Sequence, residues 1–469
     1  MDTLFTNIRE TKNMEMEQQE FRRELGVWSC SALVAGSMIG TGIFLFVDPV
    51  AKSLSDPMHI VLAWVVGAII AFCGSLCLAE LASSYPKTGG IYVYLHQAFG
   101  PLVAFLYTWT KFLIMRVGSF GIPALAFARF FGEFCSMAPA QILYWEKPIA
   151  VAVIVSLTII NIIGVETGSK TQNILTLIKI LCVLAIVGVG VVFAFGGLPV
   201  HKISASSTTH RQGNLLLLFC TALIPIMWTF GGWDEAPFVA EEVRNPERNL
   251  PYSILGGFVL VALLYVFMNI TYLLILSPSE IAASGGCTVT LAMQRALGNN
   301  ARKIMALFLM ISTFGAANGM ALTGARIAYA TGRDQAIFRW FAQTHPKMKT
   351  PVRSLIVQGG MSIIAVILLK DPFDLLIYTA AAYWTFSGLM GVALIVMRKK
   401  DPQKVRPFKV WAYPIIPVIF IMASAGMIAS VFVESWLNAS VTLIIFAIGS
   451  VVYFSQNKIM AFFGFEDAN

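Results

Sequence analysis

Hydrophobic residues along the chain fall into long uncharged stretches separated by short polar segments. Eleven of these stretches, each of 16 or more residues without Asp, Glu, Lys or Arg, are predicted spans. They are residues 25–47, 60–79, 149–164, 180–200, 212–233, 252–279, 304–325, 354–369, 375–397, 410–433 and 435–457. A twelfth apolar stretch, Pro101 to Ala128, carries only Lys111 and Arg116. A helix of about 20 residues crosses a bilayer, so the pattern predicts an all-α membrane protein with twelve transmembrane helices.

The composition agrees with a chain that lies in lipid. Of the 469 residues, 57% are hydrophobic and only 12% are charged, about half the charged fraction of a soluble protein. The predicted organisation starts with an N-terminal tail and two groups of five helices, followed by two further helices and a C-terminal tail. In residue numbers these are 1–24, 25–200, 201–400, 401–457 and 458–469.

Basic loops predict how the chain is oriented. The densest basic run is "MRKKDPQKVRPFK" (397–409), and the next is the loop of residues 332–353. With twelve spans both lie on the side of the N-terminus, and positive loops face the cytoplasm. Both termini are therefore predicted to be cytoplasmic, in a multi-pass protein of the plasma membrane, here a bacterial inner membrane. The net charge of +8 follows from these loops and does not indicate nucleic-acid binding.

Two of the predicted helices are interrupted near mid-span. The stretch "LVAGSMIGTGIFLF" (33–46) puts three glycines within seven residues, and "IMWTFGGWDEAPF" (226–238) disturbs the sixth span. Each glycine costs a helix about 1 kcal/mol relative to alanine. The glycines could instead allow close helix packing, and Gly36-x-x-x-Gly40 fits that alternative. Because each interruption lies in the first helix of a five-helix group, we expect broken helices in an inverted repeat.

A break at mid-span frees backbone groups that could bind a ligand. Amides at the start of a half-helix suit a carboxylate, and carbonyls at the end of a half-helix suit an ammonium. A zwitterionic α-amino acid uses both. The predicted amide site is Ile39 to Gly42 with the Thr41 hydroxyl. The full set of predicted substrate-binding residues is Ser37, Met38, Ile39, Gly40, Thr41, Gly42, Trp228, Thr229, Phe230 and Gly231.

Several of these stretches resemble a known family. They are "GSMIGTGIF", "AELASSYPKTGGIYVYLHQAFGPLVAFLYTW", "KFLIMRVGS", "QNILTLIKILCVLA", "WTFGGWDEAPFVAEEVRNPERNLP", "FGAANGMALTGARIAYATGRD" and "HPKMKTPVRSL". From about Glu24 to Lys458 the chain resembles amino acid permeases of the amino acid–polyamine–organocation (APC) superfamily. It is most similar to the L-type amino acid transporters, whose eukaryotic members are light chains of heteromeric exchangers. It departs from them at Thr41, where that group has Ser, and at Asp234, where the light chains carry a neutral amide.

The resemblance implies a fold, an activity and a role for one lysine. The fold is the LeuT-type five-plus-five inverted repeat, and the activity is sodium-independent transport of neutral amino acids by alternating access, as an exchanger or proton symporter. The Lys179 ammonium would take the place of a sodium ion, either as a fixed tether or as a proton carrier. Alternatively, Lys179 snorkels to the membrane interface. We infer no heavy-chain partner, although Cys135 lies in the corresponding loop.

Other charged and polar side chains lie within the spans. We expect Glu80, Arg116, Asp234 and Glu235 to stabilise the structure or border the interface rather than touch substrate. Asn318 could either meet the ligand or join two helices.

Aromatic residues near the breaks suggest gating. One residue near the sixth-span break, most simply Trp228 or Phe230, would close over a bound amino acid, and Phe230, Trp233 and Tyr383 are the predicted gating residues. The alternative is that these rings only pack in the core or against lipid, as most aromatic residues in the chain do.

Motifs for other classes of protein are missing from the sequence. It contains no phosphate-binding loop, no metal-ligand spacing and no nucleophile motif, so we expect neither an enzyme nor a cofactor or metal. Two alternatives to a neutral amino acid transporter stay open. One is a cationic amino acid or polyamine antiporter with Asp234 as counter-charge, and the other is a receptor that binds amino acids without translocating them.

Overall fold

The computed structural model describes Arg23 and residues 25–87, 89–163, 168–195, 214–334, 338, 340–341, 350–369 and 372–462. The predicted N-terminal tail, apart from Arg23, lies outside these ranges. The predicted boundary between residues 200 and 201 and residues 463–469 of the C-terminal tail also lie outside them.

The described residues are almost entirely helical. The first half contains α1 (Val27–Met38), α2 (Gly42–Leu45), α3 (Val47–Ser53), α4 (Pro57–Ser84), α5 (Ile91–Phe99), α6 (Pro101–Thr110), a π-helix (Lys111–Met115), α7 (Arg116–Phe134), α8 (Pro139–Ile163) and α9 (Gly168–Phe195). The second half contains α10 (Leu215–Thr229), a 3₁₀ helix (Ala236–Glu242), α11 (Pro246–Ile275), α12 (Pro278–Ala283), α13 (Thr288–Leu297), α14 (Asn299–Asp334), α15 (Val352–Leu368), α16 (Pro372–Lys400), α17 (Ile415–Glu434) and α18 (Trp436–Phe462).

Helix lengths and surfaces fit a membrane protein, as predicted. Within the described ranges, nine helical segments are long and apolar enough to cross a bilayer, and three shorter apolar helices accompany them. Each of the twelve predicted apolar stretches falls on one of these segments. Large apolar side chains such as Ile159, Leu181, Leu263 and Phe454 are about half or more exposed, as expected for helix faces that contact lipid rather than water.

Local sequence signals set where several helices begin. Asp56 caps α4 by accepting hydrogen bonds from the amides of Met58 (2.8 Å) and His59 (3.0 Å), and Pro57 occupies the first helical position. Ser277 and Glu280 form a reciprocal capping box at the start of α12. These caps satisfy amides that would otherwise have no partner at the helix ends.

The helices pack around two broken elements. α1 and α4 lie against α11, while α7 packs along α14, α8 and α15. α16 contacts α17, α18 and the π-helix. One continuous hydrophobic core joins most of these helices. The consecutive elements α1 to α3 and α10 to the 3₁₀ helix lie inside this framework.

Buried ion pairs join helices far apart in sequence. Glu80, at 1% exposure, accepts hydrogen bonds from Arg398 Nε (2.7 Å) and the Val410 amide (2.7 Å), and it also contacts Arg398 Nη2. Arg406 Nε lies 3.6 Å from the same carboxylate. Glu80 thus fixes α4 to α16 and to the segment before α17, which confirms its predicted structural role.

A second group of ion pairs joins the C-terminal end of α7 to neighbouring helices. Arg302 Nε donates to Glu133 at 2.6 Å, and Arg129 Nε donates to Glu146 at the same distance. Glu280, between the spans, accepts a hydrogen bond from Arg295, which lowers the pKa of Glu280 to about 2. Glu280 is 33% exposed and Arg295 is 42% exposed, so we expect this pair to contribute little to stability.

Removing the Glu80 charge should destabilise the protein strongly. In Glu80→Gln the buried guanidinium of Arg398 loses its counter-charge, which costs about 3–5 kcal/mol for a buried pair. Glu280→Gln removes a pair near the surface and should cost about 1 kcal/mol or less. Thermal unfolding of both variants in detergent, followed by tryptophan fluorescence, measures the difference. Equal losses in the two variants would contradict the assignment of Glu80.

Candidate functional site

Both predicted interruptions are real breaks in the helices. α1 ends at Met38 and α2 begins at Gly42, and Ile39 leaves the helix with φ −71° and ψ 74°. α10 ends at Thr229, and residues 230–235 form turns before the 3₁₀ helix. The glycines therefore interrupt the winding of these helices and do more than allow close packing.

The two breaks face each other at contact distance. A Cβ on Gly42 would lie 2.6 Å from Thr229 Oγ1 and 2.9 Å from Thr229 Cα. A Cβ on Gly232 would lie 2.8 Å from the carbonyl carbon and oxygen of Ser37, and Gly232 has φ +103°. Only glycine allows this approach and this conformation without strain. The sequence placed both breaks, and the structure shows that they share one site.

Free amides occur slightly later in the first break than we predicted. Ile39 N still donates to Ala35 O (2.8 Å), and Gly40 N donates to Met38 O (2.7 Å). The amides of Thr41, Gly42 and Ile43 donate no backbone hydrogen bond to any described residue. The prediction of Ile39 and Gly40 as amide donors was therefore wrong, because Ile39 completes the last turn of α1. The unpaired donors belong to the start of α2.

Carbonyl oxygens at the ends of α1 and α10 are only partly used. Met38 O accepts hydrogen bonds from Tyr265 Oη (2.6 Å) and Gly40 N, and Trp228 O accepts one from Gly231 N (2.9 Å). The carbonyl oxygens of Ser37 and Thr229 accept no bond from the part of the chain that the structure describes. They are two of the free acceptors beside the breaks, at the ends of α1 and α10, whereas Met38 O is already paired twice.

A cavity of about 100 Å³ lies between the breaks and the neighbouring helices. Eight of the ten predicted binding residues line it: Ser37, Met38, Gly40, Thr41, Gly42, Trp228, Thr229 and Gly231. Ile39 and Phe230 do not line it and are fully buried. The Phe230 ring instead packs against Trp64 and Tyr265, with centroids 5.8 and 5.5 Å apart.

The predicted gating aromatics have different positions. Tyr383 lines the cavity. Trp233 lies in the core and contacts Phe420 edge-on at 6.2 Å, so in this conformation neither it nor Phe230 forms part of the cavity wall. Trp228 does, and it meets Phe46 edge to face at 5.3 Å, which joins the two elements that flank the breaks.

Four charged side chains line the cavity, which the sequence analysis did not predict. Arg116 Nη2 donates to both carboxylate oxygens of Glu235, at 3.0 and 3.1 Å. Lys111 Nζ donates to Tyr107 Oη at 2.9 Å and lies 3.8 Å from Asp234 and 3.9 Å from Glu235. These ion pairs agree with the structural role expected for Arg116, Asp234 and Glu235, and their place in the cavity wall is the part that the sequence analysis did not predict.

The position of these charges follows from local structure and from desolvation. Lys111 begins the π-helix, an irregularity common at functional sites, and its ammonium also lies 4.2 Å from the Phe238 ring centroid. Two cations in an otherwise apolar span need acid partners nearby. The sequence signal was present in Lys111 and Arg116, but it did not identify Asp234 and Glu235 as their partners.

Lys179 and Asn318 lie outside the cavity wall. Lys179 is 1% exposed on α9, which packs against α11, α14 and α1. Its side chain therefore does not snorkel to a surface. Asn318 Oδ1 accepts a hydrogen bond from Asn161 Nδ2 at 2.8 Å, so Asn318 joins α14 to α8.

In the described ranges, no three His, Cys, Asp or Glu side chains group closely enough to hold a metal ion.

Comparison with known proteins gives consistent matches over nearly the full length. The model of the amino acid permease family matches residues 25–460. The chain is 32% identical over 449 residues to the b(0,+)-type amino acid transporter 1 of Mus musculus, covering 95% of this chain and 90% of the relative. It is 27% identical over 451 residues to the serine/threonine exchanger SteT of Bacillus subtilis, covering 95% and 99%. It is 29% identical over 444 residues to the Asc-type amino acid transporter 1 of Mus musculus, covering 93% and 82%.

The contact between the breaks predicts a strong effect of one added methyl group. Gly232→Ala should lower the free energy of unfolding by about 1–3 kcal/mol, because its φ is unfavourable for alanine and the Cβ meets the backbone of Ser37. Gly256→Ala, in an exposed position of α11 with nothing within 4 Å, is the matched control and should be neutral or slightly stabilising. Thermal unfolding compares the two variants. A Gly232→Ala variant as stable as the control would show that the breaks do not pack as described.

Proposed function

The chain belongs to the amino acid permease family of the APC superfamily, in its L-type-like group, and from that membership we propose that it transports neutral amino acids across a cell membrane. The observation that carries the proposal is the pair of facing breaks. The amides of residues 41–43 lie at the start of α2, and the carbonyls of Ser37 and Thr229 end α1 and α10. A carboxylate binds at the first group and an ammonium at the second.

The charges of the cavity favour a substrate without net charge. Lys111 and Arg116 balance Asp234 and Glu235, and each charged group lies within 4 Å of an opposite charge. A cationic side chain would need an unpaired acid, because a charge in a closed cavity requires a partner. This balance weighs against the alternative of a cationic amino acid or polyamine antiporter in which Asp234 is the counter-charge.

Alternating access would use the two halves of the molecule. In this proposal residues 25–200 and 201–400 form inverted five-helix repeats, α17 and α18 are additional, and both termini face the cytoplasm of a bacterium. The breaks serve as joints where half-helices tilt to open the cavity to either side. Support comes from the position of the breaks in the first helix of each predicted repeat.

Transport in reconstituted vesicles tests the proposal directly. Purified protein in liposomes should accumulate a labelled neutral amino acid, or exchange it against an unlabelled one inside. Uptake only into preloaded vesicles identifies an exchanger, and uptake driven by an inward proton gradient identifies a symporter. Ligand binding without any uptake or exchange would favour the receptor alternative and contradict the proposal.

Sodium should not be required. We propose that the Lys179 ammonium replaces a sodium ion, because a buried cation between α9, α11, α14 and α1 supplies the same charge. Replacing sodium by choline should leave the initial uptake rate unchanged within about twofold. Lys179→Met should reduce uptake by about tenfold or more, because it removes the buried charge that is proposed to stand in for the ion; tenfold corresponds to about 1.4 kcal/mol. A strict sodium requirement of the unmodified protein would contradict this role of Lys179.

A further inference from the structure

Two hydroxyl groups of the cavity wall are buried without a hydrogen-bond partner. They are Thr41 Oγ1, on a side chain that is 1% exposed, and Tyr383 Oη. Neither finds a donor or acceptor among the residues that the structure describes. A buried hydroxyl without a partner is costly, and both groups line the cavity where the ligand would bind. The ligand itself is therefore the natural partner of each.

The two hydroxyls serve different parts of a bound amino acid. Thr41 lies beside the free amides of the first break and faces the carboxylate site. Tyr383 is on α16, and a Cβ on Gly231 would lie 3.7 Å from its hydroxyl oxygen. Tyr383 is therefore next to the second break but on a separate helix. Its hydroxyl therefore belongs to α16 and is separate from the backbone groups proposed to hold the carboxylate and the ammonium.

The wall around Tyr383 can make further hydrogen bonds. Ser387 lies one turn further along α16 and also lines the cavity. Asp234 Oδ2 lies 3.8 Å from Lys111 Nζ. A carboxylate has about four lone-pair sites, so that of Asp234 can accept a further hydrogen bond from a neutral donor. The apolar part of this wall consists of side chains such as Met115, Met320 and Phe386.

We propose that the cavity selects small amino acids with an uncharged polar side chain, a hydroxyl or an amide, and that the Tyr383 hydroxyl recognises this group. This inference rests on the proposed transport function and names the substrate class of the same site. A side chain of equal shape without the polar group would leave the Tyr383 hydroxyl unpaired in a closed cavity. Sites built to hydrogen-bond a substrate group discriminate strongly against analogues that lack it.

The size of the cavity agrees with a small ligand. At about 100 Å³ it has room for a handful of water-sized groups, since one water needs roughly 10–15 Å³ by the same measure. Tyr383 is a specificity-determining contact in this proposal, and its gating role stays a prediction from the sequence.

Competition between amino acids of matched shape tests the proposal. Threonine and valine differ by a hydroxyl in place of a methyl group, and asparagine and leucine differ by an amide in place of a branched apolar end. In liposomes, the concentration of threonine that halves the uptake of a labelled amino acid should be at least about tenfold lower than that of valine. The concentration of asparagine should likewise be lower than that of leucine. Tyr383→Phe should reduce both ratios by about tenfold, mainly by weakening the polar competitor.

Tyr272→Phe is the matched control. Tyr272 on α11 is also fully buried with no partner for its hydroxyl among the described residues, but it does not line the cavity. Its loss should leave both ratios unchanged. The proposal is overturned if valine and leucine compete as well as threonine and asparagine, or if Tyr383→Phe leaves the ratios as they are. It is also overturned if Tyr272→Phe lowers the ratios equally.

Failure of the inference and failure of the transport function give different results. If valine and threonine are taken up equally, transport stands and the polar selectivity is wrong. If no amino acid is taken up or exchanged, the transport function is wrong. Stabilisation of the detergent-solubilised protein against heat by threonine compared with valine then still tests the recognition by Tyr383. Equal stabilisation by the two would overturn it.

Discussion

A peptide group without an intrahelical partner cannot be left in lipid, and this constraint governs the structure around the cavity. Breaking a helix at mid-span exposes several such groups at once, so each break must be covered by protein or by a ligand. Here the breaks cover one another: Gly42 lies against Thr229, and Gly232 lies against Ser37. Some groups gain internal partners, as Met38 O does with Tyr265. Those that remain define what the site can bind.

The same constraint explains the charges of the cavity. Lys111 and Arg116 lie on a span that is otherwise apolar, where a cation is tolerated only with a partner. Asp234 and Glu235 supply that partner because they lie in the second break, within 4 Å of these cations. The four charges balance, and a neutral substrate leaves that balance undisturbed. The charged residues and the broken helices are therefore parts of one site.

Ion pairs outside the cavity join other parts of the helical framework. Glu80 with Arg398, and Glu133 with Arg302, hold helix ends together near the surfaces of the molecule, while the cavity wall keeps hydroxyls that are buried and unpaired. Buried polar side-chain atoms without a partner also occur away from the cavity, as at Tyr272. The two hydroxyls of the wall are candidate ligand contacts because they line the cavity, and not because they are unpaired alone.

The sequence by itself indicated that the chain lies in lipid, where its helices are, and where the two breaks occur. Long uncharged stretches have no alternative to helices in lipid, and clustered glycines weaken a helix wherever it packs, so both are local properties. It also placed Glu80 among the charges expected to be structural, although the partners of Glu80 are more than 300 residues away. Only the tertiary structure decided that Asp234 and Glu235 pair with Lys111 and Arg116 beside the cavity. It also removed Ile39 and Gly40 from the predicted amide site of residues 39–42 and added Ile43, and it placed Phe230 and Trp233 in the core but Tyr383 in the wall. These outcomes depend on which helices are neighbours and on how far the last turn of α1 extends, and a pattern along one chain specifies neither.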